Sequence, residues 1–345
     1  MPERAYPGAA IEEIPRGPRP IQAVGTTTAG FVGQTERGPS TPQLVTSFAG
    51  YRRRFGGFLG PAKQGYLPHA VSGFFRNGGR RAYVARARAA GAEPYDPAAY
   101  LGTAPDPTRP ETWTGLKSLE AVDEIAMLCV PDQPLVDERH GGAMTKALVA
   151  QCERLRSRIC LLQSRAHEPD AKKSLRAATD SSFAAFYYPW IVASEPAGGA
   201  PAPVPATGHI AGMFARNDAA QGVWKAPAGQ ALGPMIGAAG LGEPVTDALQ
   251  GILNPRGVNC LRRFPTPEGV VLWGARTAAA EGDYAYVNTR RLLIFIERSI
   301  DRGTQWVAFD PNEPATWVAV TRSVSEFLTA LWRKGALVGR RTLSS

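Results

Sequence analysis

Short apolar runs of strand length alternate with stretches of helical spacing along the chain. "TTTAGFVGQTERGP" predicts a strand from Ala29 to Val32 that runs into a Gly/Pro turn. "QLVTS" is a second short strand. Ser47 is placed to cap the helical turn that follows in "FAGYRRRFGG", and Gly56-Gly57 stops it. In "YLPHAVSGFFRNGG", Leu67, Val71, Phe74 and Phe75 share a helical face, and Asn77-Gly78-Gly79 ends the helix. "RRAYVARA" is a further strand. From residue 88 to 118 the periodicity fades and Pro, Ala, Gly and Asp dominate, which reads as a surface loop or small insertion.

The next stretch is strictly alternating. "EIAMLCVPD", "RICLLQ" and "FAAFYYPWIVA" are apolar and read as buried strands. Between them lie "GAMTKALVAQCERLRS", with Met144, Leu148, Cys152 and Leu155 on one face, and the polar, helical "PDAKKSLRAATDS". Apolar strands alternating with helices imply a parallel sheet covered on both faces, with right-handed crossovers. A Pro/Gly-rich loop then leads to a helix with Thr207 as its expected N-cap. Beyond Gln250 the pattern changes. "GVNCLRRF", "GVVLWGART" and "TQWVAFDPN" look like strands, with the helix "VNTRRLLIFIERSIDRG" between the last two. A final helix is expected to open at Ser323, whose spacing to Glu326 matches a capping box; Val324, Phe327, Leu328, Leu331 and Trp332 form its apolar stripe.

The start of the chain follows another rule. Pro7, Pro15, Pro18 and Pro20 forbid a helix, yet "AAIEEI" has the pattern of a strand that needs a partner. The expected fold is α/β. It has a central, mostly parallel sheet with helices on both faces, a C-terminal α+β domain and an extended N-terminal arm. The expected divisions are an arm at 1–25, core at 26–87, the insertion at 88–118, the α/β domain at 119–249, a C-terminal domain at 250–339 and a tail at 340–345.

Composition narrows the function. With 44% hydrophobic and 20% charged residues, the 345-residue chain is globular in composition and long enough for a large core. No apolar run reaches the ~18 residues of a membrane span, which argues against membrane insertion. The first residues lack the apolar stretch of a signal peptide, so synthesis in the cytoplasm is expected. The net charge is +9, and only seven of the 39 basic residues are lysines. Arginine suits carboxylate-bearing protein faces as well as nucleic acid. The nucleic-acid reading lacks zinc-finger spacing, an RNP-type strand and interleaved aromatics. Cys129, Cys152, Cys160 and Cys260 are scattered, without CxxC spacing, and read as free thiols.

No chemistry emerges from the candidate catalytic residues. His69, His140, His167 and His209 show no metal-ligand spacing and read as loop or helix-surface residues. His209, Ser194 and Asp218 could be assembled on paper as a hydrolase triad, but no G-x-S-x-G elbow supports it. Glu12 and Glu13 are adjacent in a strand and point to opposite faces, so they cannot flank one bond. "FRNGGRR" follows a helix, whereas a phosphate loop must precede one. No cofactor is therefore expected. Arg290 and Arg291 stand near a helix N-terminus, against the macrodipole. They call for an acidic partner, either Asp283 or Glu297 in the same chain or a carboxylate patch on a neighbouring subunit.

Taken in order, several segments resemble the tail sheath proteins of contractile injection systems, in particular phage-tail-like extracellular injection particles. They are "YPGAAIEEIPRGPRPIQAVGTTTAGFVGQTERGP", "LVTSFAGYRRRFGG", "YLPHAVSGFFRNGGRRAYVARA", "VPATGHIAGMFARNDAAQGVWKAPAG", "NPRGVNCLRRFPTPEGVVLWGART", "YVNTRRLLIFIERSI", "QWVAFDPNEPATW" and "FLTALWRKGALVG". The resemblance covers most of residues 5 to 339. It implies a structural subunit that stacks in helical rings around an inner tube and contracts to drive the tube through a target envelope. It implies a subtilisin-like central domain without catalysis. The partners implied are further copies and sheath paralogues, the inner tube protein, and baseplate and cap proteins, within a phage tail or extracellular particle. A minor paralogue at the baseplate or cap end is the alternative within the family, and an α/β hydrolase the alternative outside it.

The resemblance also implies a partner for the first strand. In the family the N-terminal arm adds a strand to a sheet of a neighbouring subunit, which assigns Tyr6, Pro7, Ala10, Ile11, Glu12, Glu13 and Ile14 to a subunit interface. An extended arm of this length reaches ~60 Å, against a body about 50 Å across. A C-terminal helix lines the lumen in related sheaths, which points to Arg333 and Lys334 as inner-tube contacts. Family members usually continue beyond "GALVG" into a C-terminal arm. That arm is expected to be missing here, leaving a sheet edge uncovered.

Overall fold

The computed structural model describes residues 20–59, 65–87, 95–193, 200–265, 268–280 and 282–339. The chain divides into two compact units, a body of residues 24–298 and a terminal unit formed by the two chain ends, 1–23 and 299–345.

In chain order, β1 (Ala29–Gly33) and β2 (Gln43–Val45) precede α1 (Phe48–Phe55) and α2 (Leu67–Arg76). β3 (Ala82–Arg86), α3 (Pro97–Leu101) and α4 (Gly115–Ser118) lead to β4 (Met127–Cys129). α5 (Gln133–His140) and α6 (Ala143–Leu155) connect to β5 (Ile159–Gln163), and α7 (Ala171–Ser174) to β6 (Ala184–Tyr188). β7 (Ile191–Ala193), β8 (Ala202–Val204), α8 (Thr207–Gln221), β9 (Ala238–Leu241) and α9 (Asp247–Leu253) follow. β10 (Val258–Phe264), β11 (Gly269–Leu272), α10 (Val287–Thr304) and α11 (Pro314–Arg333) complete the described chain.

Eight strands form the main sheet in the order β11-β10-β6-β5-β4-β1-β3-β2. The six inner strands run parallel, and β2 and β11 close the two edges as antiparallel strands. All five residues of β1, β5 and β6 are buried, as expected for parallel strands covered on both sides. Alternation sorts the side chains. Phe31 packs edge-on against Phe74 of α2, and Cys129, its partner in register, lies against the start of α8. Gly30 instead abuts Leu119 and Ile125, and Cys160 meets Cys152 of α6. Helices therefore cover both faces.

The α2–α8 crossing is a backbone-to-backbone contact. A Cβ at Gly208 would collide with the Ala70 backbone, and one at Gly212 with that of Phe74. Only glycine allows this approach. His209 is buried in the same crossing, against Gly73.

Several expectations need correcting. The stretch 88–118 is not merely a surface loop. Its first residues lie outside the described set, but Tyr95, Ala99, Tyr100 and Leu116 belong to the main core. The Tyr100 hydroxyl donates to Asp132 at 3.0 Å. "FAAFYYPWIVA" is two strands, because the chain leaves the main sheet at Pro189 and β7 joins a separate antiparallel sheet, β8-β7-β9. "PDAKKSLRAATDS" keeps only the single turn of α7. The boundary expected near 250 is not where the sheet ends, since β10 pairs with β6 and carries β11 with it. "TQWVAFDPN" is no strand; Gln305–Phe309 is a 3-10 turn. Ser323 caps nothing. α11 starts nine residues earlier, with Pro314 at its first position, and Ser323 is buried mid-helix with no partner for its hydroxyl among the described residues. Thr207 is the first residue of α8, after its cap Ala206.

Candidate assembly surfaces

Tyr6, Pro7, Ala10, Ile11, Glu12, Glu13 and Ile14 lie outside the described residues. Arg333 is the last residue of α11 and Lys334 its C-cap, and both are exposed. Basic groups there complement the negative end of the helix dipole and leave their charge in solvent.

Arg290 and Arg291 do not offer charge to a neighbour. They are 5% and 3% exposed. Arg291 makes a bidentate pair with Asp218, Nη1 to Oδ1 at 2.9 Å and Nη2 to Oδ2 at 2.6 Å. Nη2 also donates to the Thr26 carbonyl at 3.0 Å, and the Thr26 hydroxyl donates to Asp218 Oδ2 at 2.6 Å. Arg290 donates to the Ser182 hydroxyl at 3.0 Å and stacks on Tyr284 and Phe183. Burial holds its guanidinium below the usual range. The compensating groups are thus Asp218, 73 residues away, and a hydroxyl with two rings, in place of the expected Asp283 or Glu297.

The imagined triad is not assembled. Both oxygens of Asp218 are occupied by Arg291, His209 is buried at the α2–α8 crossing, and Ser194 lies outside the described residues. The surface reading of the histidines holds for the exposed His140 and His167 and fails for the other two. Burial lowers His209 to about 3, helped by His69 and Arg76 nearby, and lowers His69 to about 4. Asp132, fully buried at the end of β4, accepts from the Tyr66 amide at 2.7 Å and the Tyr100 hydroxyl; burial raises its carboxyl to about 6. The four cysteines are free and buried, and no metal-binding group of side chains occurs among the described residues.

The carboxyl ends of parallel strands are where α/β proteins bind ligands. A cleft of about 520 Å³ opens there, beside β5 and β6. Its buried floor is tied to itself. Gln163 Nε2 donates to the Tyr187 and Pro189 carbonyls, and its Oε1 accepts from Ala206 N at 3.0 Å. Gln133 bridges Gln163 N, Asp137 and Thr145, while the Asp137 carboxylate takes the Met144 amide at the start of α6. These bonds hold the fold together and leave the floor's polar atoms engaged.

The terminal unit is built differently. α11 turns Thr316, Ser323, Phe327 and Leu331 inward, and Ile21 packs against Gly303. Several of its large apolar residues instead face solvent. Phe309 is 93% exposed, Val318 67% and Trp317 57%, and Trp332 and Val338 are also exposed. The Trp317 indole is held in place by Asn312 at 2.8 Å, and that of Trp332 by the Gly339 carbonyl at 3.0 Å. Sequence reading missed this surface. It took Trp306–Phe309 for part of a strand and started α11 too late to include Trp317 and Val318.

A two-sided α/β body with a self-bonded cleft, and a terminal unit that shows its aromatics to water, together define a scaffold with an unfinished surface. The chain belongs to the phage tail sheath family: residues 107–278 match the phage tail sheath protein central domain and residues 280–344 the phage tail sheath C-terminal domain. It is similar to the helical sheath of the anti-feeding prophage in its contracted state, at 28% identity and a TM-score of 0.77, covering 99% of this chain and 88% of that one. It is similar to the contracted PVC sheath complex of an extracellular contractile injection system, at 25% identity and a TM-score of 0.75, over 100% of this chain and 87% of that one. A putative prophage major tail sheath protein of Pseudomonas aeruginosa (strain UCBPP-PA14) is 30% identical over 142 residues, 39% of this chain. That match spans only 35% of the relative's length.

Proposed function

We propose that this protein is a structural subunit of a contractile sheath. Copies stack helically around an inner tube, and the stack shortens to drive the tube through a target envelope. The observation that carries this is the apolar surface of the terminal unit, Phe309, Trp317, Val318 and Val338, exposed in a chain whose solved relatives are contracted helical sheaths. Large side chains left in water in this way mark a contact surface. A second copy is the fitting occupant, because a helical stack brings the same patch against a neighbour once per subunit. The sheath carries out no catalysis in this account; its cleft serves folding.

Three finer assignments belong to the same reading. The segment Tyr6 to Ile14 adds a strand to a neighbouring subunit, supported by a strand-length stretch, "AAIEEI", set among prolines that forbid a helix. Arg333 and Lys334 meet acidic residues of the inner tube, supported by their exposure at the end of α11. The protein is made in the bacterial cytoplasm and works in an assembled particle with baseplate and cap proteins. Electron microscopy of the protein co-expressed with its tube and baseplate partners tests the proposal. Striated tubes or stacked rings are expected. A monodisperse monomer under those conditions would refute it.

A further inference from the structure

The chain enters the body at Val24 and leaves it after Arg298. One buried charge network stands next to both crossings in sequence. Thr26 lies two residues beyond the entry, and Arg291 lies seven residues before the exit, about two helical turns. Arg291 binds Thr26 directly, and both bind Asp218 of α8. The Arg291 and Asp218 side chains are only 3% and 2% exposed.

A buried ion pair is a poor means of gaining stability, because desolvation offsets most of the attraction. A guanidinium does something a hydrophobic plug cannot. Its planar fork holds three separate segments at once: residues 24–26, α8 and α10. The body part of α10 is fastened further by Arg290 on Ser182, by Asn288 Nδ2 on the Trp224 carbonyl at 3.1 Å, and by Arg298 on the Asp123 carbonyl. β1 begins only at Ala29, so Thr26 is tied down before the sheet starts.

We propose that the Arg291–Asp218–Thr26 network is the mechanical joint of the subunit. Tension that reaches the body at its entry, Val24, and its exit, Arg298, crosses from Thr26 to α10 through Arg291, and the eight-stranded sheet stays outside the force path. Arg291 acts here as a positioning residue for contraction. The inference rests on the sheath reading, in which both chain ends are held by other subunits. The joint itself is a property of one chain.

The test is to pull single full-length subunits at constant force by the exposed residues Ala23 and Glu297, which leaves the packing of Ile21 on Gly303 outside the pulled span. Three proteins are compared: wild type, R291K, and the charge-free double variant R291M/D218L. R291K keeps the charge and loses the fork. The lifetime of the first opening step is expected to fall roughly tenfold in R291K and ~100-fold in the double variant, the scale of losing one or two charge-assisted hydrogen bonds. Thermal unfolding of R291K is expected slightly below the wild-type midpoint, since the buried site loses part of its fork, so the direction of pulling and not overall stability is the discriminating readout. Pulling between the exposed body residues Arg80 and Glu268 is expected to give the same lifetime in wild type and R291K. If the double variant does not fold, R291K alone carries the comparison. Equal first-step lifetimes for wild type and R291K would overturn the joint, and so would an R291K loss of the same size in both pulling directions. Absence of sheaths in micrographs would sink the assembly reading and leave this single-chain result standing.

Discussion

The body and the terminal unit draw on the same amino acids and use them in opposite ways. In the body, Phe31, Phe55, Phe74, Phe214 and Trp190 are all but inaccessible to water. In the terminal unit, Phe309, Trp317 and Val318 are mostly exposed. Five of the nine large hydrophobics exposed among the described residues fall within 299–339, a small share of the chain. The body has the complete core of an independent fold. The terminal unit has one inward stripe on α11 and an outer surface that leaves large apolar side chains in water. A single chain thus combines a part with a closed core and a part that, in the sheath reading, is completed by assembly.

That contrast can be broken from either side, and the largest effects are expected in the body. Gly212→Val would drive two methyl groups into the backbone of α2, where no flexible side chain can yield. A loss of about 3 kcal/mol or more is expected in urea unfolding, enough to leave little folded protein. Arg291→Ala would strand the buried Asp218 carboxylate, and the expected loss is about 3–5 kcal/mol by the same measurement.

Acid should act on the body next. Burial holds His209 at about 3 and His69 at about 4, below the usual 6.5, so the unfolded chain takes up protons that the fold refuses. Their contribution to stability is complete above pH 6.5 and is lost as pH falls through 4 toward 3. Asp132, raised to about 6, runs the other way: its contribution is present below the usual 3.8 and lost as pH rises through 6. Urea midpoints should therefore fall between pH 6.5 and 4 in the wild type. They should fall further in Asp132→Asn, where the opposing carboxyl is gone.

Smaller effects on stability, with large ones on assembly, belong to the terminal unit. Trp317→Ser with Val318→Ser should change subunit stability by no more than about 0.5 kcal/mol, as for other surface substitutions, and abolish sheath formation in micrographs. The smallest effect is expected from Arg333→Glu with Lys334→Glu. Subunit stability should not change, and docking of sheath onto tube should weaken in co-sedimentation, most clearly at low salt.

The same division governs what could be read from the sequence. Strands β1, β4, β5 and β6 and helices α1, α2, α6 and α10 were legible, because a buried strand or an amphipathic helix writes its period into neighbouring residues. Ser47 is a local signal as well, and it caps α1 as expected. The misses came where local pattern and tertiary context disagree. Ser323 and Glu326 have capping-box spacing, but the true start signal was Pro314 after Glu313. Trp306 to Phe309 form a continuous apolar run of strand length with no sheet to join. Pro189 splits an apolar run between two sheets. The partner of Arg291 could not be found by spacing at all, since 73 residues separate it from Asp218. The glycines of the α2–α8 crossing gave no hint of their purpose, because what they accommodate belongs to another helix.

The central claim is that the terminal unit is finished only in the presence of other copies. Hydroxyl-radical footprinting of Phe309 and Trp317, in the isolated subunit and in the assembled sheath, measures this directly. Strong labelling in the subunit and protection in the sheath, with the buried Phe31 and Phe214 unlabelled in both, is the predicted result. Equal labelling of Phe309 and Trp317 in the two states would contradict the account.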